Sequence, residues 1–157
     1  MVKLNLKLMT LVIGAAALFG GTATAADYST VNGAMCVPQT PVTGNAYSRG
    51  ADGITAGTDA GMFLYVSCPI IRDQVPGNLV DLDVRYYATS SYDGCSVEGV
   101  SHYGSVLSMQ GMMAAGTGDK NIDFNELDVG GSYYATYSMS CWISPGSKLY
   151  GYRIYED

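Results

Sequence analysis

The sequence is poor in the residues from which most metal and redox sites are built. It contains a single histidine, His102, and none of its four cysteines forms a C-x-x-C pair with another. A structural zinc site or a dithiol redox site normally needs two ligands or two thiols within one turn of the chain. The absence of such a pair argues against both kinds of site.

Basic residues are also scarce. The chain has eight lysines and arginines against fourteen aspartates and glutamates, which gives a net charge of −6. Two of the basic residues, Lys3 and Lys7, belong to an N-terminal segment that we expect to be removed, and the net charge of the remainder is then −8. Such a surface repels phosphate backbones and anionic lipid, so we predict no nucleic-acid partner. The partner is unknown; a glycan and an envelope protein are the two classes left open.

Long apolar runs are missing as well. The longest, "LMTLVIGAAALFGG" (8–21), has 14 residues, whereas a membrane-spanning helix takes roughly 20. Basic residues precede this run, and the small-residue motif Ala23-Thr24-Ala25 follows it. This pattern predicts a signal peptide over residues 1–25 and a single domain over residues 26–157. The protein is therefore expected to be secreted, periplasmic or extracellular, with no membrane span after processing.

All four cysteines lie in the exported part of the chain. An even number of cysteines in an oxidising compartment predicts two disulfides. Three pairings are open, and we favour Cys36–Cys68 with Cys95–Cys141, because sequential pairing suits neighbouring strands.

Helical periodicity is absent from the exported part, whereas alternation with period two is frequent. In "VDLDVRY" (80–86), Val80, Leu82, Val84 and Tyr86 face one way and charged residues face the other. Similar patterns predict strands within 34–38, 62–70, 80–86, 95–103, 105–113, 121–127, 132–143 and 148–156. Clusters of Gly, Pro, Asn and Asp separate them, and the Gly- and Asp-rich stretch 44–61 is predicted to be a mobile loop. The fold expected is all-β: a single-domain antiparallel β-sandwich of seven to nine strands over 26–157, with two disulfides.

Several short motifs occur in a fixed order along the exported chain. These are "CVP" at Cys36, "CPIIRD" at Cys68, then Cys95, and finally "CWISPGSKLYGYRIYE" from Cys141. In this order the chain resembles small secreted bacterial proteins of unknown function that share a CVP…CP…C…C-x-I-x-P…Y-R pattern. The resemblance implies a β-sandwich held by disulfides, and it implies no activity, cofactor or ligand.

Signatures of catalysis are weak. Ser101 and His102 are adjacent, but neighbours along a strand point to opposite faces, and no G-x-S-x-G elbow surrounds the serine. Asp81 and Asp83 share a strand face, and paired carboxylates can hydrolyse glycosides. A small secreted hydrolase is therefore a further alternative, with no catalytic residue assigned.

Calcium is the one cofactor hypothesis that the sequence offers. Asp119, Asn121 and Asp123 have the spacing of the first ligands of a calcium loop, but the turn glycine and the bidentate glutamate of that loop are absent. A site of another type would draw on Asp119, Asp123, Glu126 and Asp128. The competing interpretation is a polar strand with an acidic turn, and no other metal or cofactor is predicted.

Aromatic residues give the strongest functional signal. By alternation, five side chains fall opposite the expected core face: Phe63, Tyr65, Tyr87, Tyr134 and Trp142. Aromatic rings on an exposed sheet face can stack on sugars, although tyrosine also commonly decorates such faces. We expect a secreted, non-enzymatic binding or structural protein, with a carbohydrate-binding module that uses these five residues as the alternative.

Overall fold

The computed structural model of the protein describes residues 27–71, 79–127 and 135–156, with the side chains of Asp27 and Val80 excepted. The predicted signal peptide over residues 1–25 lies outside these ranges. So do two of the predicted site residues, Asp128 and Tyr134.

One layer of the fold is a six-stranded antiparallel sheet. Its strands lie in the order β3-β4-β11-β6-β9, and β1 pairs with the part of β11 that extends beyond β4. These strands are β1 (Asp27–Asn32), β3 (Tyr47–Gly50), β4 (Gly53–Ala56), β6 (Leu79–Ala88), β9 (Gly118–Phe124) and β11 (Lys148–Glu156).

The other layer is a five-stranded antiparallel sheet with the order β2-β5-β10-β7-β8. It consists of β2 (Val37–Pro38), β5 (Leu64–Pro69), β7 (Gly94–Val100), β8 (Val106–Met113) and β10 (Thr136–Ile143). A short 3-10 turn at Gly33–Met35 carries the chain from β1 in the first sheet to β2 in the second. A second 3-10 turn, Thr58–Ala60, follows β4.

The inward faces of the two sheets form one hydrophobic core. Alternate residues of each long strand are buried, as β5 shows with Leu64, Val66 and Cys68. Across the sandwich they meet the inward residues of β6, β9 and β11, which include Leu82, Phe124 and Tyr152. The predicted all-β sandwich with two disulfides is confirmed. No helix in the described ranges is long and apolar enough to cross a membrane.

All eight predicted strand segments contain a strand, but the described residues hold eleven strands rather than seven to nine. The main reason is the stretch 44–61, which is not the predicted mobile loop. It contains the β3–β4 hairpin, whose residues Ile54 and Ala56 are buried in the core. The Gly50–Gly53 turn closes this hairpin, and its glycines led the sequence analysis to interpret the whole stretch as irregular. The N-terminal strand β1 was also not predicted.

Both disulfides form with the favoured pairing, and both join directly opposed residues of neighbouring strands. Cys95 of β7 lies opposite Cys141 of β10. Cys36 comes directly before β2, and the β2–β5 register places it opposite Cys68. The two bonds therefore lie within the five-stranded sheet, on its buried face, and the described residues contain no covalent link between the sheets.

Buried hydrogen bonds connect the two sheets instead. The Tyr137 hydroxyl on β10 accepts a hydrogen bond from the Leu79 N–H at 3.1 Å and donates one to the Leu127 carbonyl at 2.9 Å. The Tyr152 hydroxyl on β11 donates to the carbonyl of Pro69 at the end of β5. Burial raises the pKa of Tyr152, so this donor keeps its proton in ordinary buffers.

A buried carboxylate joins the turns at one end of the sandwich. Asp93 accepts hydrogen bonds from the Ser144 N–H and from the Ser147 hydroxyl, both at 2.6 Å. The Ser147 hydroxyl in turn accepts a hydrogen bond from the Thr89 N–H at 2.8 Å. Asp93 thus links the β6–β7 turn to the β10–β11 turn.

Two of the buried tyrosines, Tyr137 and Tyr86, are expected to respond differently to removal of their hydroxyls. Tyr137→Phe leaves a buried N–H and a buried carbonyl without partners, which we expect to cost about 2–4 kcal/mol of unfolding free energy. The Tyr86 hydroxyl is buried with no hydrogen-bond partner among the described residues, so Tyr86→Phe should be neutral or stabilising. Chemical denaturation with the disulfides intact measures both changes, and an equal loss in the two variants would contradict this assignment.

Candidate functional site

A β-bulge in β11 projects a tyrosine from the outer face of the six-stranded sheet. The β11–β6 register pairs Leu149 with Tyr86 and Gly151 with Arg85, so that Tyr150 is the extra residue between two pairs. Leu149 and Tyr152 are both buried although three positions separate them, because the bulge adds one residue to the alternation. Bulges commonly re-aim a side chain at a functional site, and here Tyr150 is turned outward.

Two glycines allow the neighbouring backbones to approach this bulge closely. A Cβ atom on Gly151 would lie 2.5 Å from the Val31 carbonyl oxygen, and one on Gly33 would lie 2.3 Å from the Leu149 carbonyl oxygen. Any larger residue at either position would push β1 and its following turn away from β11. The two glycines therefore let β1 lie close to β11, and β1 forms one wall of a groove that runs over the bulge.

The groove consists of two adjoining concavities of about 460 Å³ each, which is within the usual size range of small-ligand sites. Arg85 and Tyr150 line both concavities and separate them. The first concavity is further lined by Thr30, Val31, Asn32, Asp83, Gly151, Tyr152 and Arg153. The second is further lined by Tyr86, Asp119, Lys120 and Asn121.

Asp83 gives the first concavity an unused hydrogen-bond acceptor. The residue is 9% exposed, and within the described residues its Oδ1 atom is buried and has no hydrogen-bond partner. Its Oδ2 atom accepts a hydrogen bond from the Arg153 guanidinium at 3.4 Å. Asp123 of β9 lies directly opposite Asp83, so two carboxyl groups stand side by side.

Several groups act on the Asp83 carboxyl in opposite directions. Burial is the largest influence and raises the pKa of Asp83, and the neighbouring Asp123 raises it further through its charge and a side-chain contact. The positive charges of Arg153 and Arg85 oppose this increase and only partly offset it. Asp83 is thus a buried acid whose ionised form the fold disfavours.

The second concavity is polar and holds charges of both signs. The Tyr150 hydroxyl donates a hydrogen bond to Asp119 at 3.3 Å, and the Lys148 ammonium lies 5.6 Å from the centre of the Tyr150 ring. Lys148 also pairs with Asp52 beyond the rim. These contacts hold the Tyr150 side chain between the two concavities.

The structure divides the predicted aromatic set between the two sheets. Tyr65 and Trp142 are directly opposed on β5 and β10, on the outer face of the five-stranded sheet. Phe63 lies beside Tyr65, but the two ring planes are 70° apart and do not form one flat surface. Tyr87 lies on β6 of the other sheet, and Tyr134 is outside the described residues.

The Trp142 indole is nevertheless held firmly on its own sheet. Its Nε1 atom donates to the Tyr92 carbonyl at 2.7 Å, and a Cβ atom on Gly94 would lie 2.6 Å from the ring. Trp142 is half-buried, and its neighbour Tyr65 is exposed. Of the five predicted aromatic residues, Tyr65 and Trp142 therefore share a small aromatic surface.

The structure does not bring the calcium candidates together. Asp119 and Asp123 are both on β9, four positions apart, which corresponds to about 13 Å along a strand. Glu126 follows the end of β9, and Asp128 lies outside the described residues. Within the described ranges, no three His, Cys, Asp or Glu side chains are grouped closely enough to hold a metal ion.

The Ser101–His102 pair belongs to the β7–β8 turn. The Ser101 hydroxyl accepts a hydrogen bond from the Ser105 N–H at 3.1 Å, and the His102 ring stacks on Tyr103 with 3.6 Å between ring centres. Both side chains therefore have local roles in the turn. Of the predicted carboxylate pair, Asp81 is exposed and lies opposite Tyr155, whereas Asp83 is in the groove.

Most of the groove was not predicted from the sequence, including Tyr150, Arg85 and Arg153, and its residues Asp119 and Asn121 fitted only the spacing of a calcium loop. One local signal was available. In "KLYGYRIYE" the apolar alternation changes phase at Tyr150–Gly151, and a glycine within a strand pattern often marks a bulge. Arg85, Arg153 and Asn121 carry no such signal, because they meet only through the pairing of three strands.

Comparisons with known proteins place the chain in no family. No protein-family model matches it, and no curated protein matches it. Among solved structures it is similar to the coat protein of Tobacco streak virus, with 13% sequence identity, 86% of this chain and 88% of that chain covered, and a TM-score of 0.39. A similarity this low carries no conclusion about function.

Asp83→Asn is expected to stabilise the protein at neutral pH. The pKa of Asp83 is raised in the folded state, so ionisation of this carboxyl lowers the stability of the fold. This loss of stability is absent below the unfolded-state pKa of about 3.9. It grows above that pH and is complete once the pH exceeds the folded-state pKa. We expect a gain of about 1 kcal/mol at pH 7, or roughly 3 °C in melting temperature, and almost none at pH 3.

Asp81→Asn is the matched control for this experiment, because Asp81 is exposed on the same strand and lies opposite a tyrosine. Its effect should stay within about 0.5 kcal/mol at both pH values. Thermal unfolding of both variants at pH 3 and pH 7 provides the measurement, and a destabilised Asp83→Asn variant at pH 7 would contradict the electrostatic account.

Proposed function

We propose that this protein is a secreted, non-enzymatic binding protein whose groove over the β11 bulge binds a carbohydrate. The observation that carries the proposal is Asp83: this residue lines the first concavity, and its buried Oδ1 atom has no hydrogen-bond partner among the described residues. Buried polar groups are normally satisfied, and an exception at a concave surface is accounted for by a ligand that supplies the missing donor.

The chemistry of the lining fits a ligand rich in hydroxyl groups. Asp83 accepts hydrogen bonds, the guanidinium groups of Arg85 and Arg153 donate them, and the Tyr150 ring offers an apolar surface between the two concavities. A sugar hydroxyl both donates and accepts, so one hydroxyl can donate to Asp83 while it accepts from a neighbouring arginine. Two adjoining concavities of similar size suit two linked sugar units.

The charge of the groove favours a neutral ligand. Arg85, Arg153 and Lys120 contribute positive charge to the lining, and Asp83 and Asp119 contribute negative charge. A phosphate or sulfate group would meet the buried carboxyl of Asp83, and an amine would meet the arginines. A neutral carbohydrate avoids both conflicts, in keeping with the strongly acidic character of the whole chain.

One observation favours a second candidate function, glycoside hydrolysis. Asp83 and Asp123 are directly opposed on neighbouring strands, where Cβ atoms are about 5 Å apart. Retaining glycosidases use a pair of carboxyl groups, one of which has a raised pKa and acts as the acid. Release of reducing ends from a glycan that binds the wild-type protein, lost in Asp123→Asn, would support hydrolysis over binding alone.

A glycan array with the disulfide-bonded protein tests the binding proposal. We expect Tyr150→Ala and Asp83→Asn to weaken binding by roughly 10- to 100-fold, because the first removes the ring between the concavities and the second replaces one carboxyl oxygen, an acceptor, with an NH2 donor. Asp83→Asn is the sharper of the two variants, since the same substitution is expected to stabilise the fold, and loss of binding then does not follow from unfolding.

Tyr65→Ala and Trp142→Ala are the matched controls, since they remove aromatic rings from the outer face of the other sheet. Both should bind as the wild type does. Binding that depends on Trp142 and not on Tyr150 would move the site to the five-stranded sheet, and an array without any bound glycan would overturn the carbohydrate proposal.

A further inference from the structure

Among the described strands, the edge strand β8 lacks three usual protections against pairing with another strand, namely short length, proline and charge, and one irregularity at Leu107 interrupts its pairing with β7. β8 is at the end of the five-stranded sheet and, within the described residues, pairs with a strand on one side only. It is eight residues long and contains neither proline nor a charged residue. Exposed edges of this kind present unpaired backbone N–H and C=O groups to any extended chain.

Three of the other edges are protected by short length, proline or charge, and β1, which among the described strands pairs with β11 alone, carries the polar residues Ser29, Thr30 and Asn32. β2 at the opposite end of the same sheet has two residues and ends in Pro38. β3 has four residues and carries Arg49, and β9 carries Asp119, Lys120 and Asp123. Short length, proline and charge are the devices by which natural sheets avoid edge-to-edge association, and β8 uses none of them.

Five of the eight residues of β8 are apolar and exposed, and they lie on both faces of the sheet. These residues have exposed fractions between 40% and 63%: Val106, Leu107, Met109, Met112 and Met113. Methionine side chains are flexible and adapt to a partner surface at little cost. A second strand paired along this edge would cover apolar side chains on both faces of β8.

The charge distribution indicates which partner fits this edge. The chain is acidic, so two copies repel each other over most of their surfaces. Between Glu98 and Asp119, however, the sequence contains no Asp, Glu, Lys or Arg, and β8 lies in the middle of this uncharged segment. β8 itself therefore brings no like charges into a contact between two copies, and Glu98, opposite Met109, lies one strand further from that edge on β7.

We propose that β8 is a self-association edge, where two copies of this chain pair antiparallel about a two-fold axis. When a strand pairs antiparallel with its own copy, both copies contribute the same surface. The assembly stops at a dimer, because each copy has one such edge among its described strands. The five-stranded sheets of the two copies then form one continuous ten-stranded sheet. A single strand pair buries less than the roughly 1,200 Å² of a stable specific interface, so we expect a weak, concentration-dependent dimer.

This arrangement leaves the groove accessible, because the groove lies on the outer face of the other sheet. A dimer would carry two grooves and would bind a repetitive glycan more tightly than one copy does. The dimer itself does not depend on the proposed ligand, and its test uses no glycan.

Sedimentation equilibrium of the disulfide-bonded protein, from about 1 µM to about 500 µM, is the test. The wild type should pass from monomer to dimer over this range. Met109→Lys and Met113→Lys should each weaken the dimer by at least about tenfold, because each places a charge in the apolar interface. Hydrogen exchange of the backbone amides of 106–113 should slow with concentration in the wild type and not in these variants.

Met62→Lys is the matched control, because Met62 is 79% exposed and lies outside the strands. It introduces the same charge and should dimerise as the wild type does, and unchanged melting temperatures should show that all three variants remain folded. A wild type that is monomeric at every concentration would overturn the proposal, as would a dimer that both β8 variants retain.

Discussion

The register of the five-stranded sheet is the constraint on which the rest of the structure depends. Two covalent bonds hold it, since Cys36 lies opposite Cys68 and Cys95 lies opposite Cys141. A slip of one residue would exchange the two faces of a strand and expose its core residues. With both pairs of neighbouring strands linked, the apolar residues of β5 and β10 stay inside and Tyr65 and Trp142 stay outside.

The two sheets are strengthened in different ways, and this difference matches their proposed roles. The five-stranded sheet has both disulfides, while the six-stranded sheet is held by the core and by buried hydrogen bonds from residues such as Tyr137 and Tyr152. The six-stranded sheet carries the features that cost stability, namely the bulge and the buried Oδ1 atom of Asp83, which has no hydrogen-bond partner among the described residues. Functional sites often carry such costs, which the remainder of the fold must offset.

The Cys36–Cys68 bond also connects the disulfides to the groove. The chain crosses from β1 to β2 at Gly33–Met35, and Cys36 follows directly. The Arg49 guanidinium donates to the Cys36 carbonyl at 2.8 Å, which attaches the β3–β4 hairpin to the same point. Because β1 supplies Thr30, Val31 and Asn32 to the first concavity, the disulfide anchors the segment that forms one wall of the groove.

The sequence by itself determined the fold class, eight of the strands and the inward faces of β5, β6 and β10, and it favoured the observed cysteine pairing while leaving two others open. These properties follow from period-two alternation and turn chemistry, which are local and can be identified along one segment at a time. It also identified Asp83, as one member of a carboxylate pair on β6. Only the tertiary structure decided that the partner of Asp83 is Asp123 on β9, that Tyr87 lies on a different sheet from Trp142, and that Arg85 and Tyr150 meet in one groove. The physical reason is that these neighbours are set by the register between strands distant in sequence, and that register comes from the packing of the whole core.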